Sequence, residues 1–177
     1  GNPLERFDED GLRPLRAIRF ASQLGYAVDG PTFEAIGASL DRFRAVSAER
    51  VRDEFSKILL SPKPSYGIGL LERSGLLREF LPELAACRGV DQGGLHRFDV
   101  LDHLAAACDA APPVLVLRLA ALLHDLGKPG RKAGEAAGGY TFHRHEEDSA
   151  RMVAEILPRL KFPNAITERV ERLRLTA

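Results

Sequence analysis

Four of the five histidines, His103, His124, His143 and His145, stand at spacings that could assemble a metal site. His124-Asp125 falls at the end of an apolar stretch, Pro113 to Leu126. Read as a helix, that stretch carries Leu115, Leu119, Leu122 and Leu126 on one side and Leu117, Ala120 and Ala121 on others, so it belongs at the buried centre of a bundle. A carboxylate in its last turn is costly to bury alone, and the negative end of the helix dipole adds to the cost. A cation must compensate. Taken by itself, the pair fits a core histidine beside an aspartate that caps a lysine or arginine. His103 lies 21 positions earlier and His143-Arg144-His145 begins 19 positions later, and neighbouring helices of a bundle can bring such positions to one point. Imidazole plus carboxylate suits Mn, Fe, Co, Ni or Zn, and Mg where water fills most of the shell.

His143 and His145 are two apart, so one helix does not point both inward. His145 is the preferred ligand because Ser149 and Val153 continue its face inward; His143 is the second candidate, and His96 reads as a surface loop residue. A metal held there lowers the pKa of a water and polarises a phosphoryl oxygen. Lys128, Arg131 and Lys132 stand close by in sequence to hold a phosphate. The implied chemistry is phosphoester hydrolysis, with Asp125 and Lys128 as catalytic residues.

The elements that must position these residues all show helical spacing. Leu15, Ala17, Ile18, Ala21 and Leu24 share one side of a helix over 12–24 that Gly25 ends, while Arg13, Arg16, Arg19 and Gln23 share the other. Further helices are expected over 31–40, from an N-cap at Ser47 to the stop at Ser61-Pro62, over 66–72 and over 76–80. Pro82 and the glycines from Gly89 to Gly94 read as a junction. Helices then follow over 100–110, 113–126 and 146–160, with a last segment from about Asn164. Alternating β-branched runs do not occur, so the expected fold is all-α: a helical bundle over 1–88 followed by a second over 89–177. The glycine-rich loop over 127–139 lacks the order of a phosphate-binding P-loop.

Composition narrows the classes. Hydrophobic residues at 45% and a mean hydropathy of -0.15 are globular values, and no stretch reads as a bilayer span, so no membrane partner is expected. Cys87 and Cys108 lack CxxC spacing, and the residues from Gly1 show no signal-peptide pattern; both fit a reduced, cytoplasmic setting. The 25 basic residues balance 25 acidic ones, so global charge points to no polyanionic partner. The basic set is nonetheless mostly arginine, whose planar fork suits phosphates and base edges. The absent initiator Met and a motif close to Gly1 suggest a piece of a longer chain.

Two motif sets resemble known families. His103, the run Leu122-Leu123-His124-Asp125-Leu126-Gly127-Lys128-Pro129 and the later His145 resemble the HD superfamily of metal-dependent phosphohydrolases. Glu5 to Arg13, then Leu15-Arg16-Ala17-Ile18-Arg19-Phe20-Ala21, then Val46 to Phe55 resemble the neck of class II tRNA nucleotidyltransferases, the CCA-adding and poly(A) polymerase family. The resemblance runs nearly end to end. It implies a neck over 1–88 that reads a nucleobase with Asp10 and Arg13, three apart at a helix start where an acceptor and a forked donor face one planar ligand. Glu49, Arg50 and Glu54 match a second neck motif expected to be structural. It also implies an HD unit over 89–177 whose ligands His103, His124, Asp125 and His145 hold a divalent ion such as Mn, Ni, Co, Fe or Mg. Its substrates would be 2',3'-cyclic nucleotides, 2'-nucleotides and phosphate monoesters, and its partners nucleotides and tRNA or other RNA 3' ends; a homodimer stays open.

The sequence departs from the family in three respects. Gly11 stands where proline is usual. The catalytic head with its Gly-Ser turn and DxD carboxylates has no counterpart, so nucleotidyl transfer is expected only of a longer chain. The late aspartate of HD proteins is expected beyond Ala177 or at Asp148.

Overall fold

Asn2 opens the first helix, α1 (Pro3–Glu9), by accepting a hydrogen bond from the Leu4 amide, and Pro3 fits the first turn, where no amide is needed. The structure, a computed structural model, describes residues 1–90, 99–131 and 145–174. Asp10 leaves α1 in extended backbone, and α2 (Arg13–Leu24) follows, closed by Gly25 at φ 71 in the left-handed region. Leu15, Ile18, Ala21 and Ser22 face inward along α2. The helix expected over 31–40 is instead α3 (Gly30–Ala38), started by Asp29 capping the Thr32 amide, and a separate turn α4 (Leu40–Phe43). Ser39 ends α3 by turning both its amide and its hydroxyl back onto the Ile36 carbonyl.

Next come α5 (Ala48–Leu59), α6 (Pro64–Arg73), α7 (Leu76–Phe80) and α8 (Pro82–Ala85). Ser47 holds the N-cap position of α5, but its side chain makes no cap bond. Gly67 lets α6 lie close on the neighbouring helices, since a Cβ there would come within 2.5 Å of Ile58 Cγ2 and 2.8 Å of Ser22 Oγ. Gly11 is required for the same reason: a Cβ would approach the Arg42 carbonyl oxygen to 2.3 Å, which accounts for glycine where proline was expected.

The second half contains α9 (Val100–Ala110), α10 (Leu115–Leu123), a 3-10 turn (Lys128–Arg131), α11 (His145–Arg159) and α12 (Asn164–Arg174). The fold is all-α, with no strand among the described residues. The long apolar helix is shorter than its periodicity suggested, because Val114 behind two prolines is extended and the chain turns after His124. Lys161, at φ 60, closes α11 in the left-handed region. Helix α10 packs against α9 and α12, and α11 packs against α12.

Several ties join the first half to the second. Buried apolar side chains from both form one cluster. Ser65 donates amide and hydroxyl to Asp109, at 2.8 and 2.6 Å, and Arg159 forks onto Glu83 at 2.6 and 2.8 Å. Arg118, 4% exposed, reaches from α10 to the carbonyls of Leu59, Ser61 and Ala111. None of the described helices is long and apolar enough to cross a membrane.

Candidate metal centre

His103 owes its position to a hydrogen-bonded start of α9. Asp99 caps the Asp102 amide at 2.8 Å, accepts the Gly89 amide at 2.7 Å and takes Arg88 Nη1 at 3.0 Å. Burial alone would push the Asp99 carboxyl up; the two amides and Arg88 more than offset this and hold it below its ordinary value. His103, one turn into the helix, then faces the end of α10.

His124 sits at the C-cap of α10 with Nδ1 2.8 Å from the Ala121 carbonyl. A carbonyl only accepts, so Nδ1 carries the proton and Nε2 of the neutral ring presents a lone pair. That Nε2 lies 3.3 Å from His103 Nε2 and 3.1 Å from Asp125 Oδ2, and His103 Nε2 lies 3.7 Å from the same oxygen. Three atoms so spaced lie on a circle of radius about 2.0 Å, so one point can stand at ordinary imidazole and carboxylate bond length from all of them. The donor set therefore fits a divalent ion.

Asp125 is the buried member, with 11% of its side chain exposed. Burial would raise its pKa, but His124, once protonation at Nε2 makes it a charged donor, and the Lys128 ammonium hold it well below the usual carboxylate range. For His124 burial works downward, and Asp125 with the Ala121 carbonyl outweighs it, leaving the imidazole above its ordinary value. Lys128 Nζ is 2.5 Å from Asp125 Oδ2, which supplies the compensating cation. The Gly127 amide donates to buried Ser149 Oγ at 2.9 Å, fastening α11 beside the turn. Buried Ser149 and Val153 do line the inner face of α11.

The structure thus brings together His103, His124, Asp125 and Lys128. His145 is the first residue of α11; its side chain, that of Arg131, and all of His96, Lys132 and His143 lie outside the described residues. Asp148, one of the two places expected for the late carboxylate, pairs with Arg151 at 3.3 Å.

At the other expected site, the Arg13 amide donates to the Asp10 carbonyl at 3.0 Å at the α1–α2 corner, while the two side chains take other partners. Asp10 accepts the Leu12 amide at 3.1 Å and takes Arg50 at 3.1 Å, while Arg13 turns back to the Arg6 carbonyl at 3.0 Å and to Glu9 at 2.6 Å. The Leu12 amide, ahead of Arg50, holds the Asp10 carboxyl below its ordinary value. Of the second motif, Arg50 thus holds Asp10, and buried Glu54 takes Arg19 at 2.5 Å and Lys57 at 3.0 Å. Sequence reasoning missed the buried Arg118; its signal was one arginine inside an otherwise apolar helix.

Residues 25–88 match the family model described as the probable RNA and SrmB-binding site of polymerase A, and residues 94–175 match the HD domain. A CC-adding tRNA nucleotidyltransferase of Thermus thermophilus is 38% identical over 96% of this chain and 42% of its own length. An A-adding tRNA nucleotidyltransferase of Deinococcus radiodurans is 39% identical over 93% and 40%, and a multifunctional CCA protein of Chromobacterium violaceum 37% over 90% and 40%. The chain spans about two fifths of the length of these curated relatives. With the RNA-binding and HD matches side by side along a sequence that such relatives parallel over nine tenths of its length or more, the chain belongs to the tRNA nucleotidyltransferase family.

Proposed function

We propose that the chain is the neck and HD portion of a tRNA nucleotidyltransferase acting at tRNA 3' ends, with the unit boundary near residue 88. In this reading the HD unit hydrolyses 2',3'-cyclic nucleotides, 2'-nucleotides and phosphate monoesters with a divalent ion on His103, His124, Asp125 and His145. The observation that carries it is the triangle of two Nε2 atoms and one Oδ2, with the His124 tautomer fixed by the Ala121 carbonyl. When bound, the ion supplies Lewis-acid polarisation of a phosphoryl oxygen and a lower pKa for the attacking water. Asp125 orients and neutralises that centre, and Lys128 brings an ammonium that cannot ligate but can balance phosphate charge. For a cyclic phosphate, the water oxygen bonds to phosphorus, one ring P–O bond breaks and the departing oxygen takes up a proton. Asp10 and Arg13 would read a nucleobase in the longer protein.

A non-catalytic, RNA- and nucleotide-binding scaffold is the second reading. It is favoured by the Lys128–Asp125 ion pair, which neutralises the carboxylate through the same oxygen that faces both histidines. Incubation of the chain with 2',3'-cyclic AMP across Mn, Co, Ni, Fe and Mg separates the two. The hydrolase reading expects turnover that needs added metal and is lost in Asp125→Ala. Untouched cyclic nucleotides and monoesters across that series would leave the scaffold.

A further inference from the structure

The cation that offsets Asp125 sits where it opposes a metal ion. Lys128 Nζ lies 2.5 Å from Asp125 Oδ2, the oxygen that also stands 3.1 Å from His124 Nε2 and 3.7 Å from His103 Nε2. The side chains of this pair are only 13% and 11% exposed, so solvent screens their interaction little. The arrangement is local in origin. Lys128 follows Asp125 by three residues, and its amide donates to the Asp125 carbonyl at 3.1 Å as the chain enters the 3-10 turn, which keeps the two side chains on one side of that turn.

Distance and charge decide whether an ammonium and a divalent ion can share that oxygen. An ion about 2.0 Å from Oδ2 stands no farther than about 4.5 Å from Nζ, because the two separations add to that value when the three atoms are in line. Coulomb energies in one medium compare as charge product over distance, so the dielectric cancels. The ion–ammonium repulsion then scales as 2 over about 4.5 Å at the least, and the carboxylate–ammonium attraction as 1 over 2.5 Å at the most. Repulsion is the larger at every position open to the ion. The oxygen has lone pairs for two partners, so charge forces the exchange and not a shortage of acceptor sites.

We propose that Lys128 is the resting counter-cation of this centre: it holds Asp125 in the metal-free protein, a divalent ion expels it, and metal affinity is set by that exchange. Lys128 is thereby an affinity-determining residue for the ion. The inference rests on the metal-centre reading and is independent of phosphoester hydrolysis. It also orders two events, since the ammonium is released from Asp125, and so becomes available to a phosphate, only once the ion is in place.

The test compares wild type with Lys128→Met and Lys128→Gln by isothermal titration with Mn or Co, and by melting temperature in EDTA. Both variants bind the ion roughly 10- to 100-fold more tightly, the range for no longer giving up one charge-assisted hydrogen bond. Both melt lower in EDTA, because Asp125 has lost its counter-cation. The opposite signs are the discriminating feature, since a lysine that merely shaped the turn would lower both on removal. Lys128→Arg, which keeps the charge, shows no such tightening. Labelling with acetic anhydride, read by peptide mass spectrometry, modifies Lys128 of the wild type faster with Mn than without, while Lys57 and Lys63 keep their rates. Circular dichroism checks folding, and either of the two neutral variants suffices if the other fails to fold. The proposal is overturned if a folded neutral variant binds the ion no more tightly than the wild type, or if loading leaves the labelling of Lys128 unchanged. No binding by any of the proteins would overturn the metal centre itself, and this inference with it.

Discussion

Replacing Arg118 by alanine should destabilise the chain by about 3 kcal/mol. Its Nη1 serves the carbonyls of Leu59 and of Ser61, the latter at 2.6 Å, and its Nε serves Ala111 at 3.3 Å. Leu59 ends α5, where helical amides to pair with its carbonyl have run out. Each buried carbonyl stripped of its donor costs about 1–3 kcal/mol, and the lost side chain leaves unfilled volume. Against this, a guanidinium no longer has to be desolvated, which keeps the total near the low end of the sum over three acceptors. For a chain of this size about 3 kcal/mol lowers the melting temperature by roughly 6–12 °C, read by calorimetry or circular dichroism. Arg118→Lys should recover part of the loss, since one ammonium cannot span acceptors presented to a planar fork. A loss below about 1 kcal/mol for Arg118→Ala would refute the reasoning, because the carbonyls would then be satisfied without Arg118.

Gly11→Ala should cost about 1–3 kcal/mol in chemical denaturation, because its Cβ would meet the rigid Arg42 carbonyl at 2.3 Å; an unchanged midpoint would contradict that contact. Asp99 is held below its ordinary pKa when folded, so the stability it contributes is full above the unfolded value near 3.8 and is lost as the pH falls toward its folded value. Asp99→Asn should remove that acid-side component from a stability-versus-pH curve while leaving the neutral-pH fold intact. Lys128→Ala should lower hydrolytic turnover while the chain still takes up metal, because an ammonium contributes charge and no ligand atom; equal turnover would remove Lys128 from the catalytic set.

What the sequence could tell depended on how far apart the partners lie. The helix over 100–110 and the α2 stop at Gly25 were legible because caps, periodicity and breakers act within a few residues. The approach of His103 to His124 was legible as a spacing between successive helices of one bundle, and the structure places their Nε2 atoms 3.3 Å apart. Arg118 was not legible: its acceptors are 57 and 59 positions away, and inside an apolar helix an arginine reads equally well as one snorkelling to water. The contact of Arg50 with Asp10 was not legible for the same reason, since the fold delivers Arg50 from 40 positions on. The helix α1 shows the opposite case, because Asn2-Pro3 is a local cap signal that the search for apolar periodicity passed over.

The central claim is that His103, His124 and Asp125 form a metal centre, and metal content tests it most directly. Wild-type protein and the double variant His124→Ala, Asp125→Ala are each loaded with Mn, Co or Ni, desalted and measured by elemental analysis, with thermal shift on the same samples. The account predicts bound metal and a raised melting temperature in the wild type and neither in the variant. Equal metal content in the two proteins would contradict it.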